Sequence, residues 1–153
     1  MGHDGYFSSV WHAYHLLRFR PCRTKSFHLY QELEEEETVS LIFMIARDIE
    51  ADCRFTDTAH DRLAIMDRAL QAKFFLCPDL RTQLLDTMGK TLLFASTDMF
   101  WGIGCQIEDP RCLHYTYWGC NYLGRLLMSI RADLSRERHF LSSSASGKSS
   151  IWI

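Results

Sequence analysis

Apolar residues return at intervals of three and four through most of this chain, and those intervals predict helices. The clearest run is 58–75, where Leu63, Met66, Leu70 and Phe74 form one core-facing stripe. Thr58 stands at its N-cap with Asp61 three residues on, the spacing of a capping box. Val10, Ala13/Tyr14 and Leu17 repeat in the same way behind Ser9, and Pro21 closes that helix. Leu41, Ile45 and Ile49 predict a helix over 38–52, entered from an acidic run that suits the positive end of its dipole. Pro78 opens another, carrying Leu80, Leu84 and Leu85 as far as Gly89. The last, 121–136, buries Leu123, Leu127, Ile130 and Leu134. The period changes at 91–95 (Thr-Leu-Leu-Phe-Ala), which is short and apolar and reads as a strand. Residues 53–57 and 106–118 read as loops, and the Ser-rich stretch 141–150 reads as disordered. The fold class is therefore α+β, mostly helical, a compact domain over 5–136 with a few short strands and a tail over 137–153.

Composition narrows the function classes. A chain of 153 residues is long enough for one real core, and a net charge of −2 argues against a strong nucleic-acid field. No apolar run approaches bilayer thickness, and the N-terminus lacks the regions of a signal peptide. The six cysteines include no C-x-x-C pair, which removes zinc-ribbon and thioredoxin readings. Scattered thiols point to a reducing compartment, cytosol or nucleus. Nothing in the spacing signals a metal or another cofactor. His12 and His15 share a helix face, but no Cys, Asp or Glu lies near enough in sequence to complete a site. The belt of Arg18, Arg20, Arg23, Lys25, Glu32 and the glutamates at 34–37 reads as a solvated face, and Arg125, Arg131, Arg136 and Arg138 as a basic edge of the last helix.

Candidate chemistry concentrates in Thr97-Asp98-Met99-Phe100-Trp101-Gly102-Ile103-Gly104, which places a carboxylate, an aromatic pair and two glycines on one loop. Glycine there lets backbone approach a ligand closely or take positive φ. The bland alternative is a turn that packs its Trp into the core. Ordered motifs extend the pattern: Ala72-Lys73-Phe74, Pro78-Asp79-Leu80, Leu84-Leu85-x-Thr87, Asp98-x-x-Trp101-Gly102-x-Gly104, and Gly119-x-Asn121-x-Leu123-Gly124-x-x-Leu127-Met128-x-x-Arg131. This series resembles the NADAR superfamily, named for NAD and ADP-ribose, and Ser9-Val10-Trp11-His12-Ala13-Tyr14 is similar to that family's Ser-Val-Glu-His-x-Tyr helix.

The resemblance implies an N-glycosidase. Relatives cleave the N–C1′ bond of ribosylamino-pyrimidine phosphates in riboflavin synthesis, or release ADP-ribose from modified guanine. Such cleavage builds positive charge on a ribose carbon, which a fixed carboxylate stabilises. By this resemblance Asp98 and Arg62 are the candidate catalytic positions, and His12, Tyr14, Trp101, Gly102, Gly104 and Asn121 the candidate ligand-binding ones. Trp101 would stack on a base or ribose, Asn121 would read a hydroxyl or amide edge, and the helix N-terminus behind Gly119 would seat a phosphate. The implied partners are a nucleotide or ADP-ribosyl small molecule, or ADP-ribosylated nucleic acid, with no membrane. Asp98 would share the work with His12 or His60.

This chain departs from the family pattern at several points. Trp11 replaces the first-helix Glu, Arg62 replaces a Lys for which an imine role with the sugar is proposed in some members, and Phe94 replaces a Glu ahead of the Trp loop. The family's N-terminal Phe-bearing segment has no counterpart before Met1, and the final Ile151-Trp152-Ile153 matches nothing in it. An arginine stays protonated and cannot act as that amine nucleophile. The alternative implied is a degenerate domain that binds such ligands without turnover.

Overall fold

The computed structural model describes residues 9–113 and 119–146. Six α-helices lie among them: α1 (Val10–Arg18), α2 (Phe27–Glu35), α3 (Val39–Cys53), α4 (Ala59–Leu76), α5 (Pro78–Leu85) and α6 (Tyr122–Ser146). The described residues fall into two compact units that divide between Lys73 and Phe74, near the end of α4.

In the first unit α1 packs on α2 and α3. Ser9 caps α1 by accepting the His12 N–H at 3.1 Å, and Pro21 sits in a 3-10 turn, Arg20–Cys22, that follows it. The core gathers Phe19, Cys22, Tyr30, Leu33, Ile42, Ile45, Ala46 and Ile49. Helix α2 is an addition to the sequence reading, which saw only a charged belt there. Its acidic side is solvated, while Tyr30 and Leu33 turn inward and the Tyr30 hydroxyl donates to the Leu16 carbonyl at 3.1 Å. Helix α3 forms as predicted but on a shifted stripe. Ile42 is fully buried and Leu41 is 41 % exposed. Residues lie about 100° apart around a helix, so Ile42, Ile45, Ala46 and Ile49 share a face that Leu41 misses. Helix α4 begins on the predicted capping box. The Thr58 N–H donates to Asp61 Oδ2 at 3.0 Å, and the Asp61 N–H donates to Thr58 Oγ1 at 3.1 Å. Of its predicted stripe Met66 and Leu70 are buried, with Ala69 added, while Leu63 and Phe74 are half-buried.

In the second unit α5 packs on α6. The predicted strand at 91–95 is absent, and no strand occurs among the described residues; a single antiparallel bridge joins Ser96 to Cys105. The reason is where the polar groups of 91–95 go. The Phe94 N–H donates to Asn121 Oδ1 at 3.0 Å, Asn121 Nδ2 donates to the Leu92 carbonyl at 2.9 Å, and the Phe94 carbonyl accepts from Ile103 at 3.0 Å. The run is thus tied to the start of α6 and to the Trp101 loop. Helix α6 continues past 136 to Ser146, taking in the first part of the Ser-rich stretch; residues 147–153 lie outside the described ones. Arg131 leaves the predicted basic edge. It is buried, and its Nη1 donates to the Thr87 carbonyl at 2.6 Å and to Thr87 Oγ1 at 2.9 Å.

Candidate functional site

In the first unit, α1 turns Trp11, Tyr14, His15 and Arg18 to one side, as spacings of three and four require. Trp11 lies edge-on to Tyr14 at 5.9 Å and against Phe43 at 5.2 Å between centroids. The position where the resemblance implies a carboxylate is thus part of an aromatic cluster. Tyr14 is buried and its phenol is pushed up to about 12, chiefly by burial and against the pull of Arg18. His15 is buried among rings, stacked on Phe19 at 5.8 Å, and neither ring nitrogen has a hydrogen-bond partner among the described residues. Burial, with Arg18 adding to it, lowers its pKa to about 3. His12 faces the other way and donates from Nε2 to the Leu33 carbonyl of α2 at 2.8 Å, which fixes the tautomer.

Arg18 is the hub that sequence reasoning missed by placing it on a solvated face. Its side chain is 11 % exposed. Its guanidinium forks onto Asp57, Nε to Oδ2 at 2.5 Å and Nη2 to Oδ1 at 3.0 Å, and bonds Glu50 through Nη1. It also lies 4.9 Å from the centre of the Phe19 ring. Burial opposes the charge, but the bonds to Asp57 and Glu50 hold Arg18 protonated beyond its ordinary range. Arg62, half-buried in the first turns of α4, reaches the same Asp57, Nε to Oδ1 at 3.9 Å. The structure therefore brings Tyr14, Arg18, Asp57 and Arg62 together and directs His12 elsewhere. The one sequence signal for Arg18 was its place four residues after Tyr14 on the same helix face; Asp57 had none. His60 is exposed at the start of α4. No group of three or more His, Cys, Asp or Glu side chains able to hold a metal occurs among the described residues.

In the second unit, Asp98 organises its own loop. Its Oδ1 accepts the N–H groups of Phe100 at 2.7 Å and Trp101 at 2.8 Å, and its own N–H donates to Ser96 Oγ at 3.2 Å. The residue is exposed, so the carboxylate is both fixed and open to solvent. Trp101 is buried, 6 % exposed, and edge-on to Phe100 at 4.8 Å. It is a packed aromatic, not an open stacking platform. A Cβ on Gly102 would stand 2.8 Å from the Phe94 carbonyl oxygen, and Gly104 has φ +83°, so both glycines serve the loop's own path. Asn121 is buried with φ +50°, and its carboxamide holds Leu92 and Phe94.

The amides offered to a phosphate at the start of α6 are already in use. The N–H groups of Gly119, Cys120, Asn121, Tyr122 and Leu123 donate to the carbonyls of Ile103, Met99, Gly102, Phe100 and Trp101, at 2.7–3.2 Å. Nothing remains at those five positions for an anion to accept. What the loop does present is the Asp98 carboxylate, held in place from beneath by two of its own amides.

Comparison with known proteins agrees with the motif series. The sequence profile of the NADAR domain matches residues 3–135. A chloroplastic riboflavin biosynthesis protein PYRR of Zea mays is 40 % identical over 80 residues, 52 % of this chain and 11 % of its own length. An N-glycosidase of Acanthamoeba polyphaga mimivirus is 38 % identical over 71 residues, 45 % of this chain and 42 % of that protein. An N-glycosidase of Nostoc punctiforme is 28 % identical over 134 residues, 86 % of this chain and 76 % of that protein. The chain thus spans about a tenth of the plant relative's length. No solved structure matches it significantly. With the profile covering nearly all of the helical framework and both groups of candidate residues, the chain belongs to the NADAR domain family.

Proposed function

We propose that this protein hydrolyses the N-glycosidic bond of a ribosyl-phosphate or ADP-ribosyl compound, with Asp98 as the carboxylate that meets the developing positive charge on the ribose carbon. The observation that carries this reading is the state of Asp98: solvent-accessible, yet locked by the amides of Phe100 and Trp101 on Oδ1. A carboxylate that need not reorganise during the reaction stabilises a cation better than a mobile one. Two relatives named as N-glycosidases support the reaction class. In this reading Trp101, Gly102, Gly104 and Asn121 shape the loop that presents Asp98. Arg62 brings a guanidinium where some relatives have an amine, and a guanidinium does not form an imine with the sugar. The leaving group is an aminopyrimidine or a guanine base, released through the nitrogen that was bonded to C1′ of the ribose.

A second reading has its own observation: Trp11 occupies the first-helix carboxylate position and is packed against Tyr14 and Phe43. It makes the protein a binder of ADP-ribose-type ligands without turnover. One experiment separates the two. Purified protein is incubated with ADP-ribosylated guanosine and, separately, with a ribosylamino-pyrimidine phosphate, and the free base is followed by chromatography beside a thermal shift with ADP-ribose. Base release that falls at least about a hundredfold in Asp98→Ala establishes the hydrolase. ADP-ribose-dependent stabilisation without release establishes the binder. Neither signal overturns both.

A further inference from the structure

The thiols of Cys22 and Cys53 lie in one cluster although the residues belong to different elements. Cys22 ends the 3-10 turn Arg20–Cys22 and is buried in the core of the first unit; Cys53 is the last residue of α3, half-buried, and packs against that same core. The turn that follows Cys22 clamps the end of α3. Lys25 Nζ donates to the Cys53 carbonyl at 3.0 Å, Ser26 Oγ donates to Asp52 Oδ2, and Ser26 Oγ stands 2.9 Å from Cys53 Sγ. The N–H groups of Lys25 and Ser26 in turn donate to the Cys22 carbonyl, at 3.0 and 2.9 Å. The backbone of Cys22 and the side chains that grip Cys53 thus belong to one hydrogen-bonded turn, and Cys53 packs against the cluster that holds the Cys22 side chain. None of this is needed for the proposed hydrolysis.

We propose that Cys22 and Cys53 are a reversible oxidation site, converted to an intramolecular disulfide by a small disulfide of the glutathione class. Cys53 is the entry point because it is the accessible member of the pair. Its thiolate attacks one sulfur of the small disulfide, that S–S bond breaks, and one small thiolate leaves and takes up a proton. Cys22 then gives up its proton to solvent, and its sulfur attacks Sγ of Cys53 and expels the second small thiol. Two protein thiols have lost two protons and two electrons, and one small disulfide has taken them up to become two thiols. At rest, burial and the Cys53 thiol push Cys22 up to about 11, so the buried partner stays protonated until the adduct at Cys53 brings an electrophilic sulfur to it.

The bond would staple the start of the Cys22 turn to the end of α3 and close a loop containing α2 and α3. Cys53 stands four residues before Asp57, so oxidation fixes the near end of the segment that carries the shared carboxylate of Arg18 and Arg62. The other thiols supply internal controls: Cys120 is exposed, Cys105 is buried, and Cys112 donates to the Gln106 carbonyl at 2.8 Å.

The test treats the full chain under native conditions with graded ratios of oxidised to reduced glutathione. Thiols are quenched by alkylation and the digest is mapped by mass spectrometry. The expected product is a peptide pair joined through Cys22 and Cys53, two hydrogens lighter than the reduced pair, reversed by dithiothreitol, and accompanied by a Tm rise of roughly 5–10 °C. Cys22→Ser should trap glutathione on Cys53, because the resolving thiol is gone; circular dichroism confirms that the variant is folded. Should Cys22→Ser fail to fold, the wild-type map decides alone. A glutathione adduct that persists on Cys53 in the wild type, or a first crosslink that uses Cys120 in place of this pair, overturns the proposal.

Discussion

Asn121 and His15 are both buried polar side chains, and they differ in what satisfies them. Asn121 takes a positive φ and uses its carboxamide to close the backbone of Leu92 and Phe94. Replacing it with Ala leaves a buried N–H and C=O unpaired and places a Cβ residue less tolerant of that φ. The expected cost is about 2–4 kcal/mol, read by urea unfolding. Asn121→Asp keeps the acceptor but sets a carboxylate oxygen against the Leu92 carbonyl in a buried site, so it should cost at least as much as Ala. The His15 ring nitrogens have no hydrogen-bond partner among the described residues, and the consequence is a pH dependence. Its folded pKa, about 3, lies below the ordinary value of 6.5, so between those limits the unfolded chain binds the extra proton. Stability is complete above pH 6.5 and falls as pH drops toward 3. Urea midpoints should show a loss of roughly 2–3 kcal/mol between pH 7 and 4.5, and His15→Phe should flatten that slope. An unchanged slope in that variant would assign the acid sensitivity to other groups.

At the scale of elements, legibility followed the distance over which each signal acts. The capping box of α4 and the Ser9 cap of α1 are written within three residues, and both are present as read. The α2 helix escaped because Tyr30 and Leu33 are only two inward positions set in an acidic run, too sparse a stripe to stand out. At 91–95 an apolar run has the composition of a strand, but a strand also needs a neighbour, and here the polar backbone groups are taken by Asn121, 27 and 29 residues away. Arg18 and Asp57 are 39 residues apart, and no local pattern announces such a pair. Their ion pair links α1 to the segment that leads from α3 into α4. Asp57→Asn leaves the Arg18 charge without its forked partner in a site 11 % exposed, and Glu50 compensates only in part. The expected destabilisation is about 3 kcal/mol, measured by thermal or chemical unfolding, with Arg18→Met Asp57→Asn less damaged than the sum of the single variants.

For the molecule as a whole, the family was readable because its motifs are ordered along the chain, whereas the working state of its residues was not. The Trp101 loop showed its residue types in sequence, but only the structure shows Trp101 buried and the α6 amides spent. The same holds for Trp11, where sequence gave the replacement and structure gave the aromatic neighbours. Its consequence is a gain-of-function test: Trp11→Glu should raise base release at least about tenfold in a folded protein if the proposed hydrolysis is right. No change in Trp11→Glu Arg62→Lys, in a protein that still binds ADP-ribose, favours the non-catalytic reading.

The five amide-to-carbonyl bonds that join 119–123 to 99–103 have one more consequence. They tie residues 119–123 to residues 99–103, so the chain between those two stretches is closed at its base. A segment closed at its base adds little to the cost of folding when it lengthens, since closure entropy grows only with the logarithm of length. Added length between those two stretches should therefore cost little stability while the carboxylate loop keeps its shape, a prediction that glycine-serine insertions and urea unfolding would check.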